Sequence, residues 1–323
     1  MAVMTSGTTG IPKILFRSFE SWADFFPVQN EVFGVDADSR LFVQGSLAFT
    51  GNLNLYMAQL AAGGTLIAED VFLPGKWEQV MARERANGIY LIPSKLLMLP
   101  RAFKGVNANI RTIISGSQSL GRNDAEVLKK IFPNTEITLY YGASELNYIT
   151  YVKSADMTEE RNLIGKPFPG VRVFIQDDEM YVDNAFHVEN ITVPYSLKDS
   201  GRMDTQGNFY FLGRTDDIVG VRGRKVSMMK IENALEEVVG ITEAAVVLLP
   251  KEKETDMPAE VVSAFVTVEG MDVPENLRQQ LKTRLADFEI PKRVIVLEAL
   301  PKNTSGKVDK ARLRQWWLDS ETF

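Results

Sequence analysis

The segment richest in chemically useful side chains lies near the amino end and reads Thr5-Ser6-Gly7-Thr8-Thr9-Gly10-Ile11-Pro12-Lys13. Hydroxyl donors, a mobile ammonium group and glycines that leave the backbone N–H groups accessible are the groups that proteins use to hold phosphate. The Walker pattern is absent, because Pro12 precedes Lys13 and β-prone residues follow where a helix would begin. The sequence therefore predicts a phosphate-binding loop between two strands, with an ordinary Ser/Thr/Gly surface turn as the alternative.

This segment resembles the phosphate loop of the adenylate-forming (AMP-binding) superfamily, which contains acyl-CoA synthetases, peptide-synthetase adenylation domains and luciferases. Four further motifs similar to that family's follow in the family's order. They are Tyr141-Gly142-Ala143-Ser144-Glu145, Gly165-Lys166-Pro167-Phe168-Pro169-Gly170, Gly213-Arg214-Thr215-Asp216-Asp217-Ile218 and Pro301-Lys302-Asn303-Thr304-Ser305-Gly306-Lys307-Val308-Asp309-Lys310. The resemblance covers residues 5 to 310, and it implies an acyl-CoA synthetase-like ligase that uses ATP.

The resemblance implies how ATP and magnesium are held. The β- and γ-phosphates would be bound by the loop residues Thr5, Ser6, Gly7, Thr8, Thr9 and Lys13. Mg²⁺ would bridge these phosphates, and Glu145 would be its protein ligand and a catalytic residue, because a carboxylate is a hard oxygen ligand. An ordinary solvated glutamate is the alternative.

The same resemblance assigns the adenine site to two segments. Tyr141 and Gly142 would lie along the base, as an aromatic face followed by a residue that allows close approach. The motif continues through Ala143 and Ser144. Gly116, Ser117 and Gln118 follow an apolar strand, at the strand end where open α/β sheets place ligands. A core tyrosine is the alternative for Tyr141.

Asp199 matches the family aspartate that binds the ribose hydroxyls, but the preceding Thr-Gly of the family triplet is replaced by Leu197-Lys198. A carboxylate can still accept hydrogen bonds from both hydroxyls. Arg214 would supply a planar set of donors to ribose or phosphate. The changed triplet is therefore a departure that leaves the expected chemistry in place.

Lys307 matches the family's catalytic lysine, whose ammonium would stabilise the charge that develops when a carboxylate attacks the α-phosphorus of ATP. Asp216 matches the hinge about which the carboxyl-terminal domain would turn for the second step. The loop at residues 219–225 would then line the path of a thiol, and its cations suit the phosphates of coenzyme A. Because Lys230-Ile231-Glu232 stands where the family reads Glu-Ile-Glu, a carrier-protein phosphopantetheine stays open as the alternative acceptor.

Other candidates are weaker. His187, the only histidine, lies outside every motif and is expected to be structural. Phe49 is an approximate match to the histidine or bulky aromatic residue that the family carries before the adenine motif. With Asn52, Gln118, Ala143 and Leu146 it gives an uncharged acyl pocket, which favours an apolar or aromatic acid without identifying it.

The elements that must position these residues alternate between short apolar runs and amphipathic stretches in the first half of the chain, which is typical of an α/β sheet flanked by helices. Runs at residues 111–114 and 135–141 enclose a helix at 123–132 that Asn123 or Asp124 can cap. We predict an α/β nucleotide- and acyl-binding core at residues 1–165. Period-two segments at 171–175, 191–195 and 208–212 predict a β-rich subdomain at 166–214.

The remaining residues, 215–323, predict a small mobile α+β domain that carries the catalytic lysine. Helices are expected at 230–239, 276–288 and 310–318, and strands at 244–249 and 261–268. Gly240 follows the first of these helices, as a helix stop.

The amino-acid composition excludes further classes of protein function. Thirty-six Lys and Arg against 42 Asp and Glu give a net charge of -6, so no overall positive field attracts nucleic acid. With no cysteine, the chain has no disulfide, thiolate metal site or cysteine nucleophile, which fits a cytoplasmic location. No apolar run approaches the roughly 20 residues that a membrane span requires.

Only four residues precede the predicted phosphate loop, whereas the family carries a sizeable subdomain there. We therefore expect exposed apolar surface, and a homo-oligomeric contact or a separate partner that covers it. A non-catalytic nucleotide-binding subunit is a further alternative. It is opposed by the joint presence of Lys13, Glu145, Asp199, Arg214 and Lys307.

Overall fold

The structure, a computed structural model, describes residues 2–5, 13–47, 50–221, 223–251, 260–270, 272–303 and 308–319. Contacts divide the chain into two compact units. The first comprises Met1–Leu197 and Gly201–Phe211, and the second comprises Lys198–Ser200 and Leu212–Phe323. The boundaries predicted from the sequence after residues 165 and 214 stay predictions.

The strands, in chain order, are β1 (Ala2–Thr5), β2 (Lys13–Phe16), β3 (Arg40–Gln44), β4 (Thr65–Glu69), β5 (Gly88–Tyr90), β6 (Thr112–Gly116), β7 (Glu136–Ala143), β8 (Asn147–Lys153), β9 (Leu163–Pro167), β10 (Arg172–Gln176), β11 (Glu179–Asp183), β12 (Tyr195–Met203), β13 (Phe209–Arg214), β14 (Ile218–Val221), β15 (Arg224–Ser227), β16 (Ile241–Pro250), β17 (Glu260–Val268) and β18 (Arg293–Val296).

The helices are α1 (Glu20–Ala23), α2 (Phe26–Phe33), α3 (Thr50–Ala61), α4 (Pro74–Arg83), α5 (Pro93–Leu96), α6 (Leu99–Ala102), α7 (Arg122–Ile131), α8 (Met228–Glu236), α9 (Leu277–Lys282) and α10 (Lys310–Asp319). A short 3₁₀ turn spans Thr215–Asp217.

One large sheet runs in the order β10-β11-β12-β13-β9-β8-β7-β6-β5-β3-β4. The block β4-β3-β5-β6-β7 is parallel. Successive residues of its strands enter two different cores: Ile113 packs among side chains of α4 to α7, whereas Ile114 packs with those of α2 and α3. Because both faces are buried, these strands read as continuous apolar runs in the sequence. The predicted α/β class, with a mixed sheet between helices, is confirmed.

The unit β6-α7-β7 forms as expected, with β6 and β7 parallel. The predicted helix cap is wrong in detail. The helix begins one residue earlier, at Arg122, and Asp124 is its third residue, whose Oδ2 accepts the Gly121 amide at 2.9 Å. A carboxylate in the first turn satisfies an unpaired amide and favours the positive end of the helix dipole.

The β-rich segment joins the large sheet through β9 to β13. The strand predicted at residues 191–195 is wrong, because the strand there, β12, begins only at Tyr195 and continues to Met203. Pro194, which lacks an amide hydrogen, directly precedes its first residue, and a proline at that place interrupts strand pairing.

In the second unit, β16, β17 and β18 form a sheet with helices on both faces. Alternation again separates two cores: Val246 packs with α8 and α9, and Val247 packs with α10. The helix α8 starts two residues before the predicted position, because the Ser227 hydroxyl accepts the Lys230 amide at 3.2 Å and caps it. The helix α9 is much shorter than the predicted 276–288. Within the described ranges, no helix has the length and apolar character needed to cross a membrane.

Candidate functional site

The carboxyl ends of β6 and β7 bring two predicted segments together. Gly116 is the Cα partner of Tyr140, so Ser117 and Gln118 leave the sheet beside Tyr141. Ser117 has a left-handed backbone with φ of 68°, which turns the chain away from the strand direction. The Gln118 Oε1 accepts the Ser94 amide at 2.9 Å and fixes this turn. The predicted adenine residues of unit one are thus neighbours at one sheet edge.

Two glycines at this edge are required by packing. A Cβ on Gly116 would lie 2.5 Å from the Tyr140 ring, and one on Gly142 would lie 2.6 Å from the Asn147 carbonyl oxygen. Sequence reasoning assigned Gly142 to close approach of a ligand. The structure adds a reason inside the protein: the strand register itself leaves no room for a side chain.

Glu145 lies in the turn that joins β7 to β8. Its carbonyl accepts the Val188 amide at 2.9 Å, and the Leu146 amide donates to the Ala143 carbonyl at 3.1 Å, so the turn is fixed at both ends. The Glu145 carboxylate is half-buried and forms no ion pair with described residues. Leu146, named above as a pocket candidate, is fully buried in the core.

Tyr141 is half-buried, and its ring centroid lies 5.8 Å from that of Phe211. Its ring also contributes to the core, as the structural alternative expected. His187 contacts the Val188 carbonyl through Nδ1 at 2.7 Å, in keeping with a structural role.

The phosphate-loop prediction is tested only at its ends. β1 and β2 pair in antiparallel fashion with Thr5 opposite Lys13, so the two ends of the predicted loop are adjacent. Ser6, Gly7, Thr8 and Thr9 lie outside the described residues, as does Phe49. The strands on both sides fit the expected strand-loop-strand arrangement.

In the second unit, Asp199 and Arg214 lie together. The Arg214 Nε is 3.6 Å from the Asp199 Oδ1, and Asp199 is only 8% exposed. Lys198, which stands at the glycine position of the family triplet, has φ of 62°. Its carbonyl accepts the Thr215 hydroxyl at 2.9 Å. The backbone therefore keeps the left-handed conformation that glycine adopts most readily, although the glycine is gone.

The terminal motif is partly described. Lys307 lies outside the described residues, but Lys302 and Val308 on either side of it form an antiparallel bridge. The Lys302 ammonium is 2.6 Å from the Glu243 carboxylate, and Asp309 caps α10 by accepting the Arg312 amide at 3.0 Å. The ends of the lysine-bearing segment are therefore anchored.

Two ion pairs stabilise the region where the chain reads Lys230-Ile231-Glu232. The Glu232 Oε1 lies 2.8 Å from the Lys310 ammonium, and it accepts the Val246 amide at 2.7 Å. Burial raises the pKa of Glu232, and the positive charge of Lys310 opposes that rise. Lys230 is 2.6 Å from Glu289, which is 6% exposed. The departure from Glu-Ile-Glu thus has a local reason, since Lys230 neutralises a buried carboxylate.

The strands β14 and β15 form a two-stranded ribbon in which Val221 is opposite Arg224. The Arg224 guanidinium lies 4.7 Å above the Phe288 ring. A cavity of about 310 Å³ adjoins them, lined by Val221, Arg224, Glu260, Val261, Val262, Phe288, Ile290 and Lys292.

Sequence reasoning missed four buried tyrosines, Tyr56, Tyr90, Tyr140 and Tyr148, which we call the tyrosine cluster. The hydroxyls of Tyr90 and Tyr140 are 2.8 Å apart, and the Tyr56 hydroxyl donates to the Gly45 carbonyl at 3.3 Å. Burial raises the pKa of Tyr90, Tyr140 and Tyr148 well above the ordinary value of 10.0. The positions are far apart in sequence, and only the strand register brings them together.

Among the described residues, no group of three or more His, Cys, Asp or Glu side chains could hold a metal ion. Mg²⁺ can also take one protein carboxylate and complete its coordination with water and substrate phosphates, and Glu145 stays the predicted ligand of this kind.

Comparison with known proteins identifies the family. Residues 2–185 match the family model of AMP-binding enzymes, and residues 230–307 match that of the AMP-binding enzyme C-terminal domain. An uncharacterized acyl-CoA ligase of Bacillus subtilis, YhfT, is 26% identical over 99% of this chain and 69% of its own length. A linear gramicidin synthase of Brevibacillus parabrevis is 26% identical over 96% of this chain and 7% of its own.

Solved structures give the same result for the fold. The ATP-bound RpMatB-BxBclM chimera B1 superposes with a TM-score of 0.85 at 25% identity, over 99% of this chain and 69% of its own. The amide bond synthetase McbA from Marinactinospora thermotolerans superposes with a TM-score of 0.86 at 24% identity, over 98% and 68%. The predictions of the family and of a ligase are confirmed. Since the first family match alone covers more than half of the sequence, the chain belongs to the AMP-binding enzyme family.

Proposed function

We propose that this chain activates a carboxylic acid with ATP to give an acyl-adenylate and pyrophosphate, and then transfers the acyl group to the thiol of coenzyme A with release of AMP. The observation that carries the proposal is the meeting of Gly116–Gln118 and Tyr141–Glu145 at one sheet edge, in a chain of the AMP-binding enzyme family. The relatives named as acyl-CoA ligases support the choice of reaction.

In the first step, an oxygen of the substrate carboxylate forms a bond to the α-phosphorus of ATP while the bond to pyrophosphate breaks. Thr5 to Thr9 and Lys13 would hold the departing phosphates, and the adjacency of Thr5 and Lys13 supports this role. The Lys307 ammonium would stabilise the charge that builds on the transferring group.

Glu145 would hold Mg²⁺ at the phosphates. Its carboxylate is half-buried and makes no ion pair with described residues, so it is available as an oxygen ligand. A bound Mg²⁺ supplies charge neutralisation to the triphosphate. The turn hydrogen bonds described above keep the carboxylate in place at the end of β7.

Asp199 would bind the ribose hydroxyls, with Arg214 holding its carboxylate in orientation. The 3.6 Å contact and the low exposure of Asp199 support this assignment. The cost of burying a carboxylate is reduced by a neighbouring guanidinium.

In the second step, the thiol attacks the acyl carbonyl, a C–S bond forms and the bond to AMP breaks. The ribbon β14–β15 and the adjoining cavity of about 310 Å³ suit the nucleotide end of coenzyme A, because they combine Arg224 and Lys292 with the apolar Val221, Phe288 and Ile290. The hinge at Asp216 and a mobile carboxyl-terminal domain belong to this proposal.

A carrier-protein thiol is the second candidate acceptor, favoured by the similarity to a linear gramicidin synthase. One experiment separates the two. Pyrophosphate release is measured over a panel of acids, and then AMP release is measured with free coenzyme A or with a holo carrier protein. If no acid stimulates pyrophosphate release above the Lys307→Ala variant, the proposed function is wrong.

The predicted contact near the amino end also stays a proposal, as does a cytoplasmic location. Three apolar side chains there are strongly exposed: Ile14 at 60%, Phe16 at 54% and Phe19 at 49%. Contiguous exposed apolar residues are typical of an interface. Sedimentation as a monodisperse monomer at high concentration would contradict a homo-oligomer.

A further inference from the structure

The tyrosine cluster lies directly beneath the residues that border the proposed adenylate site. Tyr90 is the last residue of β5, and the Tyr140 ring fills the space next to Gly116. Tyr148 is the Cα partner of Gly142. Tyr90 and Tyr140 are the last paired residues of their parallel strands, and Tyr148 lies beside them, at the edge where the proposed function puts the acyl-adenylate.

Two hydroxyl hydrogens of the cluster have no acceptor among the described residues. Tyr90 and Tyr140 share one hydrogen bond, which uses one of their two O–H groups as donor and leaves the other. The Tyr148 hydroxyl, in a residue only 3% exposed, has no hydrogen-bond partner in the described part of the chain. Buried hydroxyls are normally paired, so two unused donors in one cluster indicate a ligand acceptor.

The charge around the cluster decides what kind of acceptor fits. Within the described part of the chain, the charge interactions that act on the pKa values of Tyr90, Tyr140 and Tyr148 come from other tyrosines and not from a lysine or arginine. Burial keeps all three phenols neutral. A second carboxylate placed here would lose its hydration without gaining a counter-charge, whereas an uncharged oxygen would gain a hydrogen bond from an unused hydroxyl.

A residue without a side chain lies directly against two of the hydroxyls. Gly51, in the first turn of α3, is half-buried, and a Cβ built on it would lie 3.2 Å from both the Tyr90 and the Tyr140 hydroxyl oxygens. The Gly51 backbone is therefore in direct reach of these hydroxyls, at a residue that is itself partly exposed. A side chain at this position would cover them.

We propose that the tyrosine cluster binds an uncharged oxygen on the acyl chain of the substrate, such as a ketone, ether or hydroxyl oxygen. The preferred acid is then an oxygen-substituted monocarboxylic acid, in place of a plain hydrocarbon acid or a dicarboxylic acid. This inference rests on the proposed function for the placement of the acid. It narrows the substrate class from the apolar or aromatic acids that the pocket composition predicts.

The test compares matched acids that differ in one oxygen. Equilibrium dialysis measures binding of straight-chain acids, their oxo analogues of equal length and the corresponding dicarboxylates to the whole chain in the presence of ATP and magnesium. The best oxo acid is expected to bind about tenfold more tightly than its parent, which corresponds to one to two net hydrogen bonds. The dicarboxylates are expected to bind no better than the parents.

Three variants test whether the preference for oxo acids comes from the tyrosine cluster. Tyr148→Phe keeps the ring and removes the unpaired hydroxyl, and it is expected to reduce the oxo-to-parent ratio several-fold. Gly51→Ala places a methyl group over the hydroxyls and is expected to reduce the same ratio. Tyr181→Phe, which removes a hydroxyl from a ring stacked on Phe174 outside the cluster, leaves the ratio unchanged.

Equal affinity for both acids of every pair, or no measurable binding of either, overturns the inference, as does a preference that survives Tyr148→Phe. Failure of the proposed function gives a different result. If ATP–pyrophosphate exchange occurs with acids but without preference for oxo acids, the ligase proposal stands and the inference fails. If no acid supports exchange, the ligase proposal fails, while the binding ratio still decides the inference.

Discussion

The Nε of Arg214 lies 3.6 Å from the Oδ1 of Asp199, a carboxylate that is almost fully buried. Both residues belong to the second unit and were assigned to the nucleotide from sequence alone. The contact with the guanidinium holds the Asp199 carboxylate in one orientation. The pair therefore places a fixed carboxylate, in place of a mobile one, in the second unit.

Asp199→Asn is expected to raise the KM for ATP about tenfold, because an amide accepts through one oxygen only and removes the negative charge that faces Arg214. ATP–pyrophosphate exchange at varied ATP measures the effect. Asp177→Asn, in an exposed turn, is the matched control. An unchanged KM for ATP in Asp199→Asn would exclude the ribose assignment.

Lys198→Gly is expected to stabilise the protein by roughly 0.5–1 kcal/mol. The strain energy of a non-glycine residue in the left-handed region is larger than the entropy cost of ordering a glycine on folding. Urea denaturation gives the change in free energy of unfolding. Lys104→Gly, at an exposed residue outside the left-handed region, is expected to be destabilising. Equal effects of the two changes would show that Lys198 is unstrained.

Gly116→Ala is expected to destabilise the protein by about 1–3 kcal/mol, because the new methyl group would lie 2.5 Å from the Tyr140 ring. The same displacement would reach the tyrosine cluster and lower exchange activity. Gly75→Ala is the control, since nothing lies within 4 Å of its Cβ position in α4. Thermal unfolding of both variants measures the difference in stability. If Gly116→Ala is as stable as the wild type, the Tyr140 ring can move without a free-energy cost.

Lys307→Ala is expected to lower acid-dependent pyrophosphate release about 100- to 1000-fold, the range for loss of a preorganised charge at a transition state. Binding of ATP should change far less. Lys302→Ala removes a cation from the same segment, but one that is paired with Glu243 at the surface. Similar losses in both variants would argue for a structural effect on the segment.

The Glu232 carboxyl gives a pH dependence. Its folded pKa is raised above the ordinary 4.5 by burial, so the stability it contributes is present below that value and is lost as the pH rises through the folded pKa. The free energy of unfolding of the wild type, minus that of Glu232→Gln, is therefore expected to fall as the pH increases from 4.5. Urea unfolding of both proteins across this range measures the difference, and a rise would contradict the assigned direction.

The local sequence pattern was sufficient to predict the central strands and the helix α7. The runs around Ile113 and Ile137 are apolar because helices cover both faces of the sheet, and a parallel pair then forces a crossover helix between them. The position of Gly116 at the end of an apolar strand predicted a place at the ligand-binding edge, and the family resemblance assigned Tyr141 to the same adenine site. The order of the five motifs in the sequence indicated the family.

Pairings between distant positions could not be read from the sequence. Lys230 and Glu289 are separated by 59 residues, and neither has a local signal that names the other. The tyrosine cluster depends on the register of β5, β7 and β8, and a shift of one residue would turn Tyr140 to the opposite face. Boundaries also failed where a side chain decides them, as with Asp124 and Ser227.

Lys198 shows that a lysine can adopt the torsion angle that glycine adopts most readily, at a position where the motif of the family is expected to carry glycine. A search that rewards glycine at this point scores the chain low, although its torsion angle is one that suits glycine. Surveys based on residue identity alone will therefore rank such a segment lower than its backbone conformation warrants. Torsion angles at the same position would retain it.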